Sequence, residues 1–264
     1  MALAAMVACR HSPSAPTGPD GIPGFSLIGD AASSGGATWT YRWREAGIEY
    51  DLQGILLTPG GAGSFPAVII SHGNGGNAGG YSLDVARVMV GWGLVCIATN
   101  YTHAGGVPIG SPGTASEAGA TPNNVRRARR LVEILRGLGD VDMSRIALHG
   151  HSLGAFVSEA TAAAHPGLFR AASHTAGGIA PDIVSGFAPT ESEIANIRAP
   201  YQMHHGDRDF VVPLIADQLF ASALRMRGVT HELVTYPGAG HDDVRLNPAV
   251  LDRIRAWYQS KGVL

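Results

Sequence analysis

Short apolar runs alternate with helix-like segments along most of the chain. Strand-like runs occur at 67–71, 94–99, 145–149, 171–175, 201–205 and 231–236. Helical patterns occur between and after them, at 83–91, 123–138, 153–164, 214–227 and 249–259. This alternation is typical of a parallel sheet with helices on both faces. Two β-rich segments, 38–45 and 48–57, add an antiparallel hairpin at the N-terminal edge. The sequence therefore predicts an α/β fold with a mostly parallel sheet of about eight strands.

The chain is predicted to form one domain preceded by a tail. No linker interrupts residues 38–264, and a small cap or loop is expected at 177–199. Residues 1–37 are expected to be a flexible N-terminal tail, punctuated by Pro, Gly and Ser from residue 10. Met6-Val7-Ala8-Cys9 resembles a lipoprotein processing box, so the tail is either a remnant of an export signal or a leader without a role. Localisation, extracytoplasmic or cytoplasmic, stays open.

Composition excludes several classes of partner. The net charge of -2 does not favour nucleic acid. The arginines at 126, 127, 129 and 130 are interpreted as a solvated helix face. No segment is long and apolar enough to suggest a transmembrane span.

Cys9 and Cys96 are not expected to form a disulfide, and no metal motif or required cofactor is found. A monomer or small homo-oligomer is expected.

A candidate nucleophile lies between a predicted strand and a predicted helix. Gly150-His151-Ser152-Leu153-Gly154 has the G-x-S-x-G pattern in the strand–turn–helix context that this motif requires. Such a turn strains the central residue and lifts its hydroxyl above the sheet, and the two glycines allow close approach of neighbouring chain segments. Ser152 as a simple helix N-cap is the competing interpretation, and the flanking strand and helix disfavour it.

The motif and its context resemble the α/β-hydrolase superfamily, most closely its dienelactone-hydrolase-like and small serine esterase branches. The resemblance covers roughly residues 40–260. It implies an α/β-hydrolase fold and a serine hydrolase active on carboxylic esters. A dienelactone hydrolase proper is expected to use cysteine as its nucleophile, so Ser152 argues against that particular activity.

A serine nucleophile needs a base and an acid that orients the base, and in this fold they follow the serine in the order acid, then histidine. His241 lies in a Gly-rich loop between the last predicted strand and the last helix, and is the predicted base. The segment from His205 to Pro213 resembles the family pattern H-G-x-x-D-x-x-V-P, which makes Asp209 the acid. Asp207 is the competitor and is expected to shape the turn.

The loop after the strand at 67–71 resembles the H-G-x loop of the family, which implies an oxyanion hole formed by the backbone amides of Asn74 and Leu153. A phosphate-binding loop is disfavoured because no Gly-Lys-Ser/Thr ending is present. His72 is expected to order this loop. Pocket walls are expected from loops 74–81, 101–122 and 177–199, with five candidate substrate contacts: Tyr81, Tyr101, His103, Ile179 and Phe210.

The substrate is predicted to be a small-molecule ester or an accessible polymeric ester. A polyester or cutinase-like hydrolase is one alternative, although Asn74 stands where that branch tends to carry an aromatic residue. An amidase or peptidase with the same triad, a lyase or haloperoxidase-like activity and a non-catalytic binding protein also remain open.

Overall fold

The computed structural model describes residues 22–33, 35–45, 47–105, 117–181 and 186–264. Within them, nine strands form one sheet in the order β1-β2-β3-β5-β4-β6-β7-β8-β9. The strands are β1 Phe25–Ile28, β2 Ala37–Glu45, β3 Ile48–Leu57, β4 Phe65–Ser71, β5 Val95–Thr99, β6 Val141–His151, β7 Ala171–Thr175, β8 Tyr201–Gly206 and β9 His231–Tyr236.

The pairing confirms the mostly parallel sheet with an antiparallel N-terminal edge. All pairs from β5 through β4 to β9 are parallel. β1, β2 and β3 are antiparallel to their neighbours, and β3 joins the parallel part by an antiparallel pair with β5. This topology is the one that the resemblance to the α/β-hydrolase superfamily implies.

The predicted tail is wrong for its last part, because β1 lies within residues 1–37. The strand pairs with β2, and its Phe25 ring lies 5.9 Å from the ring of Trp39 and 6.3 Å from that of Tyr41. Trp39 is fully buried. Apolar contact across the strand pair thus stabilises a segment whose Gly- and Ser-rich surroundings suggested a loop.

Helices cover both faces of the sheet, as the continuous apolar strands predicted. In β4, Ala67 and Ile69 belong to one apolar cluster, and Val68 and Ile70 belong to another. The first cluster includes residues of α2 Pro122–Gly137, α3 Leu153–Ala164 and α4 Ile215–Met226. The second includes residues of α1 Leu83–Val90 and α5 Pro248–Ser260. Because strand side chains alternate between faces, each cluster fills one layer.

The loops at the carboxyl ends of the parallel strands position the candidate site. Ligands bind at this edge in open α/β sheets. The predicted cap or loop at 177–199 has an isolated bridge between Ala180 and Thr190 and no helix within its described residues. Cys96 is buried and free, while Cys9 and residues 106–116 of the predicted 101–122 loop lie outside the described part. No described helix is long and apolar enough to cross a membrane.

Candidate active site

Ser152 lies at a sharp turn between β6 and α3. Its backbone has φ 55° and ψ -124°, a strained conformation for a residue with a side chain. A Cβ on Gly150 would lie 2.2 Å from the carbonyl oxygen of Gly154, and one on Gly154 would lie 2.1 Å from that of Ser71. The two glycines are therefore needed for the close contact of β4, β6 and α3 that holds Ser152 at the sheet edge.

His241 and Asp209 are joined directly. Nδ1 of His241 lies 2.7 Å from Oδ2 of Asp209 in a side-chain hydrogen bond. The other carboxylate oxygen of Asp209 accepts hydrogen bonds from the backbone amides of Val211 (2.8 Å) and Val212 (2.9 Å). The Asp209 side chain is fully buried and that of His241 is 14% exposed. The acid is thus held from both sides while the imidazole keeps an edge in the pocket.

Ser152 and His241 line the same open pocket, which has a volume of about 420 Å³. Tyr81 and Asn74, both predicted near the substrate, also line it. The hydroxyl of Tyr81 lies 3.0 Å from Nε2 of the buried His149, which fixes the aromatic ring in the wall. The remaining lining residues are Gly73, Gly75, Gly76, His151, Val211, Asp242 and Arg245.

Two backbone amides are available where the oxyanion hole is expected. The neighbouring amides of Gly75 and Gly76 donate to the carbonyls of His103 and Gly73. In the described part of the chain, the amides of Asn74 and Leu153 have no hydrogen-bond acceptor. Leu153 is the first residue of α3, where a free amide and the helix dipole favour negative charge.

Tyr101 and His103 support the Gly-rich loop after β4 and are not among the residues that line the pocket, which corrects the prediction that they contact substrate. The amide of Tyr101 donates to Nε2 of His72, so that the Nδ1–H of His72 faces the Gly73 carbonyl at 2.9 Å. Nε2 of His103 lies 3.1 Å from the carbonyl of His72. Burial lowers the pKa of His72 to about 3 and that of His103 to about 4, so both rings are neutral.

Ile179 and Phe210 are also outside the pocket lining. Ile179 is buried in the core, where its amide donates to the carbonyl of Ala216. Phe210 is 91% exposed, and the carboxylate of Asp209 accepts hydrogen bonds from the amides of the two residues that follow it. Val211, the next residue, lines the pocket instead.

Besides the glycines, four pocket residues had no predicted role in the site: His151, Val211, Asp242 and Arg245. His151 precedes the nucleophile and its ring lies 5.0 Å from that of His241. Its Nδ1 lies 2.9 Å from Oγ1 of Thr175, and burial lowers its pKa well below 6.5. All four residues are close in sequence to Ser152, Asp209 or His241, and this closeness is the feature of the sequence that could have indicated them.

Two other acids near the site bind backbone amides. Asp207 accepts a 2.6 Å hydrogen bond from the amide of Gly238, which ties the loops after β8 and β9 together. Asp243 accepts from the amide of Gly240 at 2.7 Å. His204 and His205, at the end of β8, are fully buried.

Comparison with known proteins places this chain in a family. Residues 52–248 match the dienelactone hydrolase family, which is most of the chain. The chain belongs to the dienelactone hydrolase family. The uncharacterized protein Rv2307c of Mycobacterium tuberculosis is similar in sequence, with 31% identity over 222 residues. The alignment covers 78% of this chain and 74% of that protein.

Solved structures share the fold of this dienelactone hydrolase family member at low identity. Thermogutta terrifontis esterase 2, phosphonylated by cyclosarin, superimposes with a TM-score of 0.66 at 18% identity, covering 93% of this chain and 97% of that one. A puromycin-hydrolyzing peptidase of Mycobacterium tuberculosis gives 0.69 at 17% identity, covering 89% of this chain and 40% of that one. Family membership supports a serine-type hydrolase in general, and neighbours at this identity show the fold alone.

Proposed function

We propose that this protein is a serine esterase that cleaves carboxylic esters through an acyl-enzyme on Ser152. The observation that carries the proposal is the Asp209–His241 hydrogen bond of 2.7 Å at the wall of the pocket that also contains Ser152. A hydroxyl, an imidazole and a buried carboxylate in this relation constitute the machinery of nucleophilic acyl transfer.

In the proposed reaction, Ser152 attacks the ester carbonyl and His241 takes the hydroxyl proton. Asp209 occupies Nδ1 of His241, which leaves Nε2 to accept that proton. The amides of Asn74 and Leu153 stabilise the oxyanion of the tetrahedral intermediate. His241 then donates its proton to the leaving alcohol. Water, deprotonated by His241, hydrolyses the acyl-enzyme and regenerates Ser152.

The pocket favours small or externally accessible esters. It is open, and the exposed Val211 and Asp242 form part of its wall. A short acyl chain fits a volume of about 420 Å³. A polymeric ester could present its scissile bond to the same opening. We therefore propose short-chain or surface-accessible esters, without a required cofactor.

Amide cleavage is the second candidate, because a peptidase shares this fold. The same nucleophile and base serve both reactions, but an amine leaving group needs protonation more than an alcohol does. Matched p-nitrophenyl esters and anilides separate the two.

The test is turnover of p-nitrophenyl esters from acetate to palmitate by the parent and by Ser152→Ala. We expect the highest kcat/KM with the shorter acyl chains, and a loss of about 10⁴-fold or more in Ser152→Ala. Ser26→Ala, an exposed serine of β1, is the matched control and should keep parental activity. Equal activity of Ser152→Ala and the parent would refute the proposal, and faster anilide cleavage would favour the amidase.

A further inference from the structure

A buried chain of alternating acids and histidines leads from the helix after Ser152 to Asp209. Nε2 of His174 lies 2.7 Å from Oδ1 of Asp217, and Oδ2 of Asp217 lies 2.7 Å from Nδ1 of His205. On the far side, Nδ1 of His174 lies 2.9 Å from Oε1 of Glu159. The side chains of all these residues are fully buried.

Both ring nitrogens of His205 face acceptors. Nδ1 faces the Asp217 carboxylate, and Nε2 lies 2.8 Å from the carbonyl oxygen of Val212 and 3.4 Å from Oδ2 of Asp209. A ring that donates at both nitrogens is an imidazolium. Burial alone would lower the pKa of His205, but Asp217 and, more weakly, the Val212 carbonyl and Asp209 outweigh it and raise the pKa.

His174 and Glu159 are the other members of this buried series, and His174 contacts the same Asp217 carboxylate. Burial alone would lower the pKa of His174, but Asp217 and Glu159 outweigh it and raise the pKa to about 10. The facing groups of His174 are Glu159 on α3, Asp217 on α4 and the ring of Tyr201 on β8. Burial raises the pKa of Glu159, whereas the contacts with His174 and His205 lower the pKa of Asp217. Asp217 is therefore the stronger counter-ion of the two for His174.

A metal ion is a weaker explanation of the Glu159–His174–Asp217 cluster, although their ligand atoms lie within 4.8 Å of one another. Nε2 of His174 forms a 2.7 Å hydrogen bond with Asp217, and its Nδ1 lies 2.9 Å from Oε1 of Glu159 at ion-pair distance. The protein groups account for these short contacts without an ion between them. The cluster is therefore better described as a buried network of acids and histidines.

We propose that His205, held as an imidazolium by Asp217, is a positioning residue for the triad acid Asp209. The inference rests on the proposed function. Nε2 of His205 contacts the carbonyl oxygen of Val212, and the amide of Val212 donates to Oδ1 of Asp209. The ring thus fixes the backbone turn that orients the carboxylate toward His241.

The network also ties the acid to the element that carries the nucleophile. Glu159 is on α3, the helix that begins directly after Ser152, and its Oε1 also accepts the amide of Gly178. From there the contacts pass through β7 and α4 to β8 and the loop with Asp209. Misplacing a catalytic group by about 1 Å can lower the rate about 100-fold. A network that holds Asp209 in place would therefore maintain the rate.

The charge of His205 is tested directly by NMR of the full-length protein labelled with ¹⁵N-histidine. His205→Gln identifies the His205 signals by their loss. In the parent we expect both His205 ring nitrogens to be protonated at pH 7, and in Asp217→Asn we expect the His205 titration midpoint to move to lower pH. A singly protonated His205 in the parent at pH 7 would overturn the proposal, and this readout does not depend on activity.

The positioning role is tested by kinetics on the same variants with a short-chain p-nitrophenyl ester. We expect kcat to fall by about tenfold to 100-fold in His205→Gln and in Asp217→Asn, with KM within about twofold of the parent. Asp252→Asn, an exposed acid of α5, is the control and should keep parental kcat. Folded variants with parental kcat would overturn the proposal. A parent without ester turnover would instead refute the proposed function, while the NMR result would still stand.

Discussion

Oδ2 of Asp209 lies 2.7 Å from Nδ1 of His241, although 32 residues separate them in the chain. The contact follows from the parallel pairing of β8 and β9, whose carboxyl ends are in register at Gly206 and Tyr236. Each strand then releases a short loop at the same edge of the sheet. Asp242, which is next to His241 in sequence, lies 3.5 Å from Nε2 of His151 instead.

Exchange of the two nearby aspartates separates their roles. Asp209→Asn should lower kcat for ester hydrolysis by about 10³-fold to 10⁴-fold, because an amide stabilises the His241 imidazolium poorly. Asp207→Asn should lower it by less than about tenfold, since Asp207 contacts the Gly238 amide. Steady-state kinetics of both variants check this. A larger loss in Asp207→Asn would reverse the assignment.

The oxyanion hole is tested by removing a backbone donor. Asn74→Pro deletes the amide and should lower kcat by about 10²-fold to 10³-fold. Asn74→Ala keeps the amide, removes only an exposed side chain, and should change kcat by less than about fivefold. Circular dichroism verifies that both variants are folded. Equal losses in the two would show that the side chain, and not the amide, is the important group.

The glycines around Ser152 are predicted to be needed for stability. Gly150→Ala places a Cβ 2.2 Å from the Gly154 carbonyl oxygen, so we expect the free energy of unfolding to fall by about 3 kcal/mol or more. Gly60→Ala meets no atom within 4 Å and should change it by less than about 0.5 kcal/mol. Urea denaturation measures both. Parental stability in Gly150→Ala would contradict the close packing of β6 and α3.

Stability should be greatest near neutral pH because buried histidines differ in charge. Burial lowers the pKa of four of them from 6.5 to about 3 or about 4: His72, His103, His149 and His204. Their contribution to the free energy of unfolding is therefore present above pH 6.5 and is lost as pH falls. The pKa of His174 is raised to about 10, so its contribution is complete below pH 6.5 and is lost between 6.5 and 10.

Unfolding free energies measured from pH 4 to 10 check this profile. Each additional proton bound by the unfolded state changes the slope by about 1.4 kcal/mol per pH unit. His204→Gln should reduce the slope between pH 4 and 6.5, because it removes one histidine whose pKa is lowered by burial. A stability that keeps rising below pH 5 would contradict the neutral buried histidines.

Local patterns predicted the strands and helices closely, because apolar runs and helical periodicity reflect burial of each element by itself. β1 escaped prediction since its four residues gain stability from contacts with Trp39 and Tyr41, which no local pattern reveals. The pairing of Asp209 with His241 was predictable from strand order and from the family resemblance. The resemblance also explains why Asp209 was favoured over Asp207.

The pocket walls were predicted less well. Tyr101 and His103 follow β5 at the correct edge of the sheet, but their hydrogen bonds to His72 draw them beneath the loop. The network from Glu159 to His205 joins residues on separate elements, and its spacing in sequence has no period. Such contacts depend on the tertiary arrangement and become visible only in three dimensions.

The central claim is that Ser152 is an activated nucleophile, and covalent labelling measures this most directly. The parent is treated with a fluorophosphonate, digested and analysed by mass spectrometry, with urea-unfolded protein and Ser152→Ala as controls. We predict one adduct per chain, on Ser152, in folded protein only, with much slower labelling in His241→Ala. Folded parent protein without an adduct on Ser152, or with equal labelling after unfolding, would contradict the account.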